Sequence, residues 1–347
     1  MCLGGALWGS DAGLTSGVTV ADPAPASHDK FGRILAALVD SDQKPDLAIG
    51  SDIPTIDVYR GGFTKAGGNG GGYRFVPPAS VTGAPAAIAS GNFGGEDVIA
   101  DIVVTGASTY YALGSATGLS PASTVKLPTS TSVAIGDFDN NYYEDIALGA
   151  PNEGGGAVRV FHSDAKGPSA TASYTITQDS PNIPDTSEPG DRFGASLEVA
   201  ASRGYGSQLL AIGAPGESLG SATGTGAVTL VHGGEQGFDA IGADSTTYAR
   251  FFAQSTPNVP GNDETGDHSS SCDHRIHFGS SLHLADTHND LDWDLLVGVP
   301  NENAGDGAAV YFRGNTDPSA SGTPGISAFG TGVPTSGSPL FGAHLTG

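Results

Sequence analysis

Two short stretches of the sequence place metal-ligating side chains at relative positions 1, 3, 5 and 9 of a turn. Alternate side chains in a tight turn can converge on one point, and the backbone carbonyl at position 7 can add a further oxygen. Ca²⁺ accepts about six to eight oxygens in flexible geometry, so such a turn is suited to a hard cation. The first turn has Asp137, Asp139, Asn141 and Asp145 with the carbonyl of Tyr143, and the second has Asp286, His288, Asp290 and Asp294 with the carbonyl of Asp292.

A second interpretation of these turns needs no metal. Asp and Asn side chains commonly accept hydrogen bonds from backbone N–H groups two or more residues further on, which shapes a turn by itself. Three other turns carry weaker versions of the pattern. One of them, at residues 202–208, has no carboxylate. A second turn has a shorter spacing, with Asp40, Asp42 and Asp46. A third turn has a longer spacing, with Asn92, Glu96 and Asp101.

The composition narrows the class of protein. With 54 Gly, 22 Pro and only 14 Lys plus Arg in 347 residues, turn-rich β-structure is favoured over long helices. The formal charge of −23 opposes binding to nucleic acid or to an anionic membrane, because both depend on clustered basic residues. Cations and neutral ligands fit better, although a solvated acidic surface of the halophilic kind is an alternative. The cysteines, Cys2 and Cys272, can pair but need not.

Internal repeats organise the chain. Residues 139–163, 207–234 and 290–314 each contain an apolar run, a Gly-x-Pro turn, a Gly-rich polar loop and a second apolar run, and residues 45–62 and 100–120 are weaker copies. Phe-Gly pairs precede several of these units, and the linker at 178–194 matches that at 254–268. Short apolar runs bounded by Gly, Pro and Asp predict strands. About four strands per unit predict the blades of a β-propeller; the repeated order of elements argues against the alternative, a pair of β-sandwiches.

The Phe-Gly pairs, the acidic turns and the Gly-Ala-Pro turns together resemble the FG-GAP repeats of the integrin α-subunit propeller, and the linkers resemble those of bacterial integrin-like secreted proteins. The resemblance implies an all-β protein with four-stranded blades, six or seven in number, either incomplete or closed by one blade shared between the termini. It implies a single domain over 1–347, with approximate blades at 31–83, 84–130, 131–190, 191–276 and 277–340 and partial blades at 1–30 and 341–347.

In the family, the acidic turn binds Ca²⁺, so the resemblance implies calcium at the two strong turns. Three positions depart from the family pattern. Its glycine at position 6, which permits a positive φ, is Tyr142 in the first turn and Leu291 in the second. His288 offers a nitrogen where a hard cation prefers oxygen.

The resemblance also implies a function. We expect a non-catalytic, secreted or cell-surface module for adhesion, which binds a protein or carbohydrate ligand, is a monomer, and neither inserts into a membrane nor binds nucleic acid. The extracellular location rests on the resemblance, because no signal peptide is visible in this chain. The alternative is an accessory propeller of, or a fragment from, a secreted hydrolase of the phospholipase or glycosidase type. No His-Glu-x-x-His motif is present, and we expect no enzymatic activity.

Overall fold

The computed structural model describes most of the chain and shows an all-β protein. In the described residues the helical structure is one 3-10 turn, Pro121–Ser123. The described residues are 4–10, 13–20, 26, 30–32, 34–39, 44–63, 70–94, 99–201, 208–232, 248–257, 259, 277–286, 293–300, 307–313 and 325–327.

The chain divides into two compact units, and the first comprises residues 1–135 and 163–170. It begins with an antiparallel pair, β1 (Gly4–Ser10) and β2 (Gly13–Val20). Two four-stranded antiparallel sheets follow, in which the strands pair in chain order. The first has β3 (Ile34–Val39), β4 (Pro45–Gly50), β5 (Ile56–Tyr59) and β6 (Gly72–Phe75), and the second has β7 (Pro85–Gly91), β8 (Asp101–Gly106), β9 (Thr109–Ala112) and β10 (Val125–Leu127).

The second unit comprises residues 136–162 and 171–347 and holds most of three further four-stranded sheets. The third sheet of the chain contains β11 (Ser132–Gly136), β12 (Asp145–Gly149), β13 (Val158–Phe161) and β16 (Tyr174–Ile176). Between β13 and β16 the chain forms the short pair β14 (Ser163–Asp164) and β15 (Gly167–Pro168), which belongs to the first unit. The last two sheets are β17 (Ser196–Ala201), β18 (Gln208–Ala214), β19 (Ala227–His232) and β20 (Tyr248–Phe252), then β21 (Leu282–Ala285), β22 (Asp294–Val299), β23 (Ala308–Phe312) and β24 (Gly325–Ser327).

The apolar sequence of the inner strands follows from their position in these sheets. All five residues of β12 are buried, whereas residues in β11 alternate between buried and half-buried. A strand that is covered on both faces has no solvent-facing positions, so its sequence is continuously apolar rather than alternating. The same reasoning accounts for β9, in which all four residues are buried.

Within each unit, two consecutive sheets pack face to face through apolar side chains. In the second unit, one buried cluster joins the β17–β20 sheet to the β21–β24 sheet, and the rings of Phe252 and Phe312 lie 4.7 Å apart within it. In the first unit, a comparable cluster joins the β3–β6 sheet to the β7–β10 sheet, with Phe75 stacked on Tyr110 at 6.4 Å. Burial of these large side chains stabilises each pair of sheets.

The Phe-Gly pairs mark the start of a sheet in a consistent way. Phe193 is fully buried, while Gly194 has a φ of 88° and donates its N–H to the carbonyl of Gly213 at 3.0 Å. Gly213 belongs to the Gly-Ala-Pro turn of the same sheet, so the two sequence motifs of the repeat meet at one hydrogen bond. Equivalent bonds run from Gly32 to Gly50 and from Gly279 to Gly298, each at 3.2 Å.

A glycine before the third strand lets the next sheet approach closely. Gly226 has a φ of 81° and forms a parallel bridge with Phe278, the phenylalanine that begins the following sheet. A Cβ atom on Gly226 would overlap the carbonyl oxygen of Phe278. Gly156 and Phe193 form the same parallel bridge one sheet earlier. The joint between consecutive sheets therefore depends on a residue without a side chain.

The substitution Gly226→Ala tests this joint, with Gly220→Ala as its matched control in the same loop. Gly220 has a φ of 63° but open space where a methyl group would lie, so alanine there meets only the left-handed backbone penalty of about 1 kcal/mol. At Gly226 the overlap with Phe278 adds to that penalty, and we expect a loss of about 3 kcal/mol of unfolding free energy. Denaturant unfolding measures both values. Equal losses in the two variants would contradict the close approach.

The predicted fold class is confirmed: the protein is all-β, and its four-stranded antiparallel sheets are propeller blades. The number of blades, the way in which the termini close them and the bounds of the single domain stay predictions.

Candidate metal centre

The first acidic turn, residues 137–145, connects β11 to β12 and is held by its own side chains. Asp137 accepts the N–H groups of Asn141 at 3.0 Å and Tyr142 at 2.9 Å, one on each carboxylate oxygen. Asn141 in turn accepts the N–H of Tyr143 at 2.7 Å. These bonds are the backbone-capping interactions that Asp and Asn favour in turns. They give the turn a defined shape through contacts of the protein alone.

Asp145 anchors this turn to the sheet. It is the first residue of β12, is completely buried, and accepts the N–H of Phe138 at 2.8 Å. Phe138 is also completely buried. A buried carboxylate must be satisfied by hydrogen bonds or by a cation, because its desolvation is costly. The position of Asp145 therefore fixes where the turn meets the second strand.

Three ligand groups converge beside this anchor. Asp139, Asp145 and His162 each present one ligand atom, and the three atoms lie within 4.8 Å of one another. His162 Nδ1 is 3.4 Å from Asp139 Oδ2, and the His162 ring packs edge-on against Tyr174 at 5.4 Å. Two carboxylates and an imidazole form a donor set that can hold a divalent cation.

His162 was not predicted from the turn sequence, because it comes from another strand. The signal for it is the register of two antiparallel strands. Ile146 of β12 pairs with Phe161 of β13, so the neighbouring pair in the ladder sets Asp145 opposite His162. Finding that register requires the two strands to be aligned across the Gly-Ala-Pro turn. A search for spacing within the turn cannot reveal it.

The structure brings together some of the predicted ligands of the first turn and not others. Asp139 and Asp145 belong to the cluster, whereas Asp137 does not, and both carboxylate oxygens of Asp137 accept backbone N–H groups. The side-chain oxygen of Asn141 likewise accepts a backbone N–H. The five-ligand set that includes the carbonyl of Tyr143 stays a prediction.

Tyr142 occupies the position at which the family pattern has glycine. Its φ is 74°, in the left-handed region that a bulky residue rarely adopts, and its side chain is 97% exposed. The turn therefore does require a positive φ at this position, as the family pattern implies, and the tyrosine adopts it without packing contacts that offset the cost.

Replacing Tyr142 by glycine should stabilise the protein. The left-handed conformation costs a side-chain-bearing residue about 1–2 kcal/mol, and an exposed ring contributes little packing, so we expect Tyr142→Gly to gain about 1 kcal/mol. Thermal or denaturant unfolding measures the change. Tyr143→Gly, at the adjacent position outside the positive-φ residues, is the control and should not stabilise. A loss of stability in Tyr142→Gly would contradict the assigned backbone strain.

The second predicted turn lies partly outside the described residues. His288, Asp290 and Asp292 are among the residues that are not described, whereas Asp286 and Asp294 are. Asp294 is completely buried and is the first residue of β22, paired with Ala285. It therefore has the same place in its sheet as Asp145. The calcium assignment for this turn stays a prediction.

The weaker turns use their described carboxylates as backbone anchors. Asp101, at the start of β8, accepts the N–H groups of Phe93 at 3.1 Å and of Gly94 and Gly114 at 2.8 Å each. Asp46 accepts the N–H of Gly61 at 2.6 Å. Asn92 is half-buried, and Asp40, Asp42 and Glu96 lie outside the described residues.

Residues 216–220, Gly-Glu-Ser-Leu-Gly, match the Gly-x-Ser-x-Gly pattern of hydrolase nucleophiles, but their structural context differs. A nucleophile elbow lies between a strand and a helix. Here Ser218 follows β18 in the loop that leads to the antiparallel β19, and its hydroxyl accepts the N–H of Gly224 at 3.1 Å. This serine is a turn residue and does not have the geometry of an elbow.

The four-stranded sheets, joined through Phe-Gly and Gly-x-Pro turns, define a protein of the β-propeller class. Residues 130–161 match the family model of the FG-GAP repeat, which spans β11 to β13 and the whole of the first acidic turn. The chain thus carries an FG-GAP repeat, and the recognition of this repeat in the sequence is confirmed.

Two other comparisons add little to this assignment. The chain is similar to one in the crystal structure of BBS1N in complex with ARL6DN, soaked with lead, with a TM-score of 0.40 and 11% sequence identity. The similarity covers 84% of this chain and 82% of that chain. No curated protein matches the sequence. Among the described residues, no helix is long and apolar enough to cross a bilayer.

Proposed function

We propose that the chain is a non-catalytic, calcium-stabilised FG-GAP propeller that acts as an extracellular binding or adhesion module for a protein or carbohydrate ligand. The observation that carries this proposal is the convergence of one ligand atom each from Asp139, Asp145 and His162 within 4.8 Å. Asp139 and Asp145 lie inside the repeat matched at 130–161, and His162 directly follows its last residue. Calcium at this place would be held chiefly by Asp139 and Asp145. It would neutralise two neighbouring carboxylates and link the turn to β12.

The modest number of charged ligands supports an extracellular setting. Calcium affinity rises with the number of charged ligands and with the rigidity of the site, and extracellular modules bind with dissociation constants of about 10⁻⁴–10⁻³ M. Two carboxylates in the cluster correspond to this weak end of the range. Such a site fills where free calcium is in the millimolar range.

The exposed Tyr142 supports a binding role. Its side chain is 97% exposed and its backbone has a φ of 74°, so the residue lowers stability without contributing to the core. Backbone strain of this kind occurs preferentially at functional sites. Tyrosine presents a large ring with a polar tip, which suits both protein interfaces and the faces of sugar rings. The turn thus combines a calcium site with a contact residue.

Calcium should stabilise the folded protein, and the stabilisation should depend on the first turn. A ligand that binds only the folded state adds about 1.4 kcal/mol when its concentration is about 10 times its dissociation constant. We expect the melting temperature of metal-stripped protein to rise by about 2 °C in about 10 mM CaCl₂. Asp139→Asn should lose much of this rise, because it removes one of the two converging carboxylates.

Asp101→Asn is the matched control for this experiment. Its carboxylate accepts three backbone N–H groups and has the place in its own sheet that Asp145 has in the third sheet, so the variant should lose stability to the same extent in calcium and in chelator. Identical melting curves of the unmodified protein in calcium and in excess chelator would overturn the calcium part of the proposal.

A glycan array tests the binding role. We expect specific signals for the unmodified protein in CaCl₂ that weaken in chelator, and a loss of signal for Tyr142→Gly even though that variant is the more stable protein. A panel of extracellular matrix proteins on the same slide covers the protein ligands. A blank array and panel together with hydrolytic activity in a broad substrate screen would contradict the proposal.

A further inference from the structure

The linker at 178–191 docks on the turn that follows β18 in the next sheet. Near one end, the side-chain amide Nε2 of Gln178 donates to Glu217 Oε2 at 2.5 Å. At the other end, the N–H of Gly216 donates to the carbonyl of Asp191 at 2.9 Å. The Gly-x-Pro turn of one sheet is therefore held by the linker that leaves the preceding sheet.

Three carboxylates meet where the linker docks. Asp185 and Glu188 come from the linker and Glu217 from the turn, and one ligand oxygen of each lies within 4.8 Å of the other two. Glu217 is 1% exposed, whereas Asp185 and Glu188 are exposed. Within the described part of the chain, none of the three forms an ion pair with Lys, Arg or His. The charge of this cluster is not balanced by a basic side chain there.

The electrostatic environment of the cluster reflects this imbalance. Burial raises the pKa of Glu217 to about 8, and the negative charges of Asp185 and Asp191 contribute to the increase. Burial also raises the pKa of Asp191 to about 6. Burial and neighbouring negative charge both oppose the ionisation of these carboxylates.

Gln178 provides an independent indication of a ligand at this cluster. Its side chain is 1% exposed, its Nε2 points to Glu217, and its Oε1 is buried with no hydrogen-bond partner in the described structure. A buried amide oxygen without a partner is costly and is uncommon in folded proteins. Because Oε1 and Nε2 belong to one amide group, the oxygen without a partner lies near Glu217, the buried member of the cluster.

We propose that Asp185, Glu188 and Glu217, together with the side-chain oxygen of Gln178, form a second calcium site that fastens the linker to the turn after β18. All four donors are oxygens, which a hard cation prefers. The 4.8 Å limit on the separation of the three carboxylate oxygens is about twice the Ca²⁺–oxygen distance, and the exposed Asp185 and Glu188 leave the cation open to water ligands. The site joins two segments about thirty residues apart and is separate from the acidic turn at 137–145.

The sequence contains a partial second copy of this arrangement. Gln254 begins the matching linker and is 5% exposed, and Glu302 follows Gly-Val-Pro as Glu217 follows Gly-Ala-Pro. Glu302 lies outside the described residues, as do Glu264 and Asp267 of that linker. The proposal therefore concerns the first copy.

Glu153 supplies a matched control. It stands two residues after the Pro of Gly-Ala-Pro, as Glu217 does, but it pairs with Arg159 at the surface and has no part in a carboxylate cluster. Glu153→Gln therefore changes the same charge at the equivalent place of another sheet. Its calcium binding should equal that of the unmodified protein.

Calorimetric titration of the metal-stripped full chain with CaCl₂ tests the proposal. We expect Glu217→Gln to lose one calcium equivalent per chain relative to the unmodified protein and to Glu153→Gln. Asp185→Asn combined with Glu188→Gln should lose the same equivalent; because both side chains are exposed, this pair keeps the test valid if Glu217→Gln does not fold. Asp139→Asn should retain this calcium equivalent, and that result would distinguish the linker site from the acidic turn at 137–145.

Gln178→Met removes both polar atoms of the amide at nearly constant size, and we expect it to weaken the affinity for that equivalent about tenfold. An unchanged calcium stoichiometry in both Glu217→Gln and the double variant would overturn the proposal. So would an equal loss in Glu153→Gln, because it would show that the titration reports general surface charge.

Discussion

In four of the five four-stranded sheets, the fold depends on a buried carboxylate at the start of the second strand; the exception is β18, which begins with Gln208. Asp46, Asp101, Asp145 and Asp294 occupy this place and are at most 4% exposed. An ionised group in such a position must find donors or a cation, since water cannot reach it. In two sheets the donor is the backbone of a buried phenylalanine, Phe93 or Phe138, in the preceding turn. One residue thereby fixes the turn, the start of the strand and a core side chain.

The sheets are joined by the backbone as much as by their side chains. In the two sheets that begin after Phe193 and Phe278, the glycine of the Phe-Gly pair donates its N–H to the glycine of the Gly-x-Pro turn, and the phenylalanine bridges to a glycine of the preceding sheet. Apolar faces then fill the space between the sheets. Because the repeat motifs are the contact points themselves, a change in one motif affects two sheets.

Local patterns in the sequence predicted the strands, the turns and the placement of Asp139 and Asp145, because each of these depends on residues close together along the chain. The contribution of His162 depends on cross-strand register, and that of Glu217 depends on a linker about thirty residues earlier. Neither can be found by spacing within a motif. The three N–H bonds of Asp101 were equally hidden, since a carboxylate that binds metal and one that accepts three N–H groups look alike in a sequence. Metal at this weaker turn stays a prediction.

The turn at Asp101 shows how much one buried carboxylate can hold together. Phe93 and Gly94 precede β8, whereas Gly114 follows β9, so the three N–H groups that Asp101 accepts come from two separate connections of one sheet. A substitution at Asp101 would therefore release both connections at once, which the loss of a hydrogen bond within a single turn would not do.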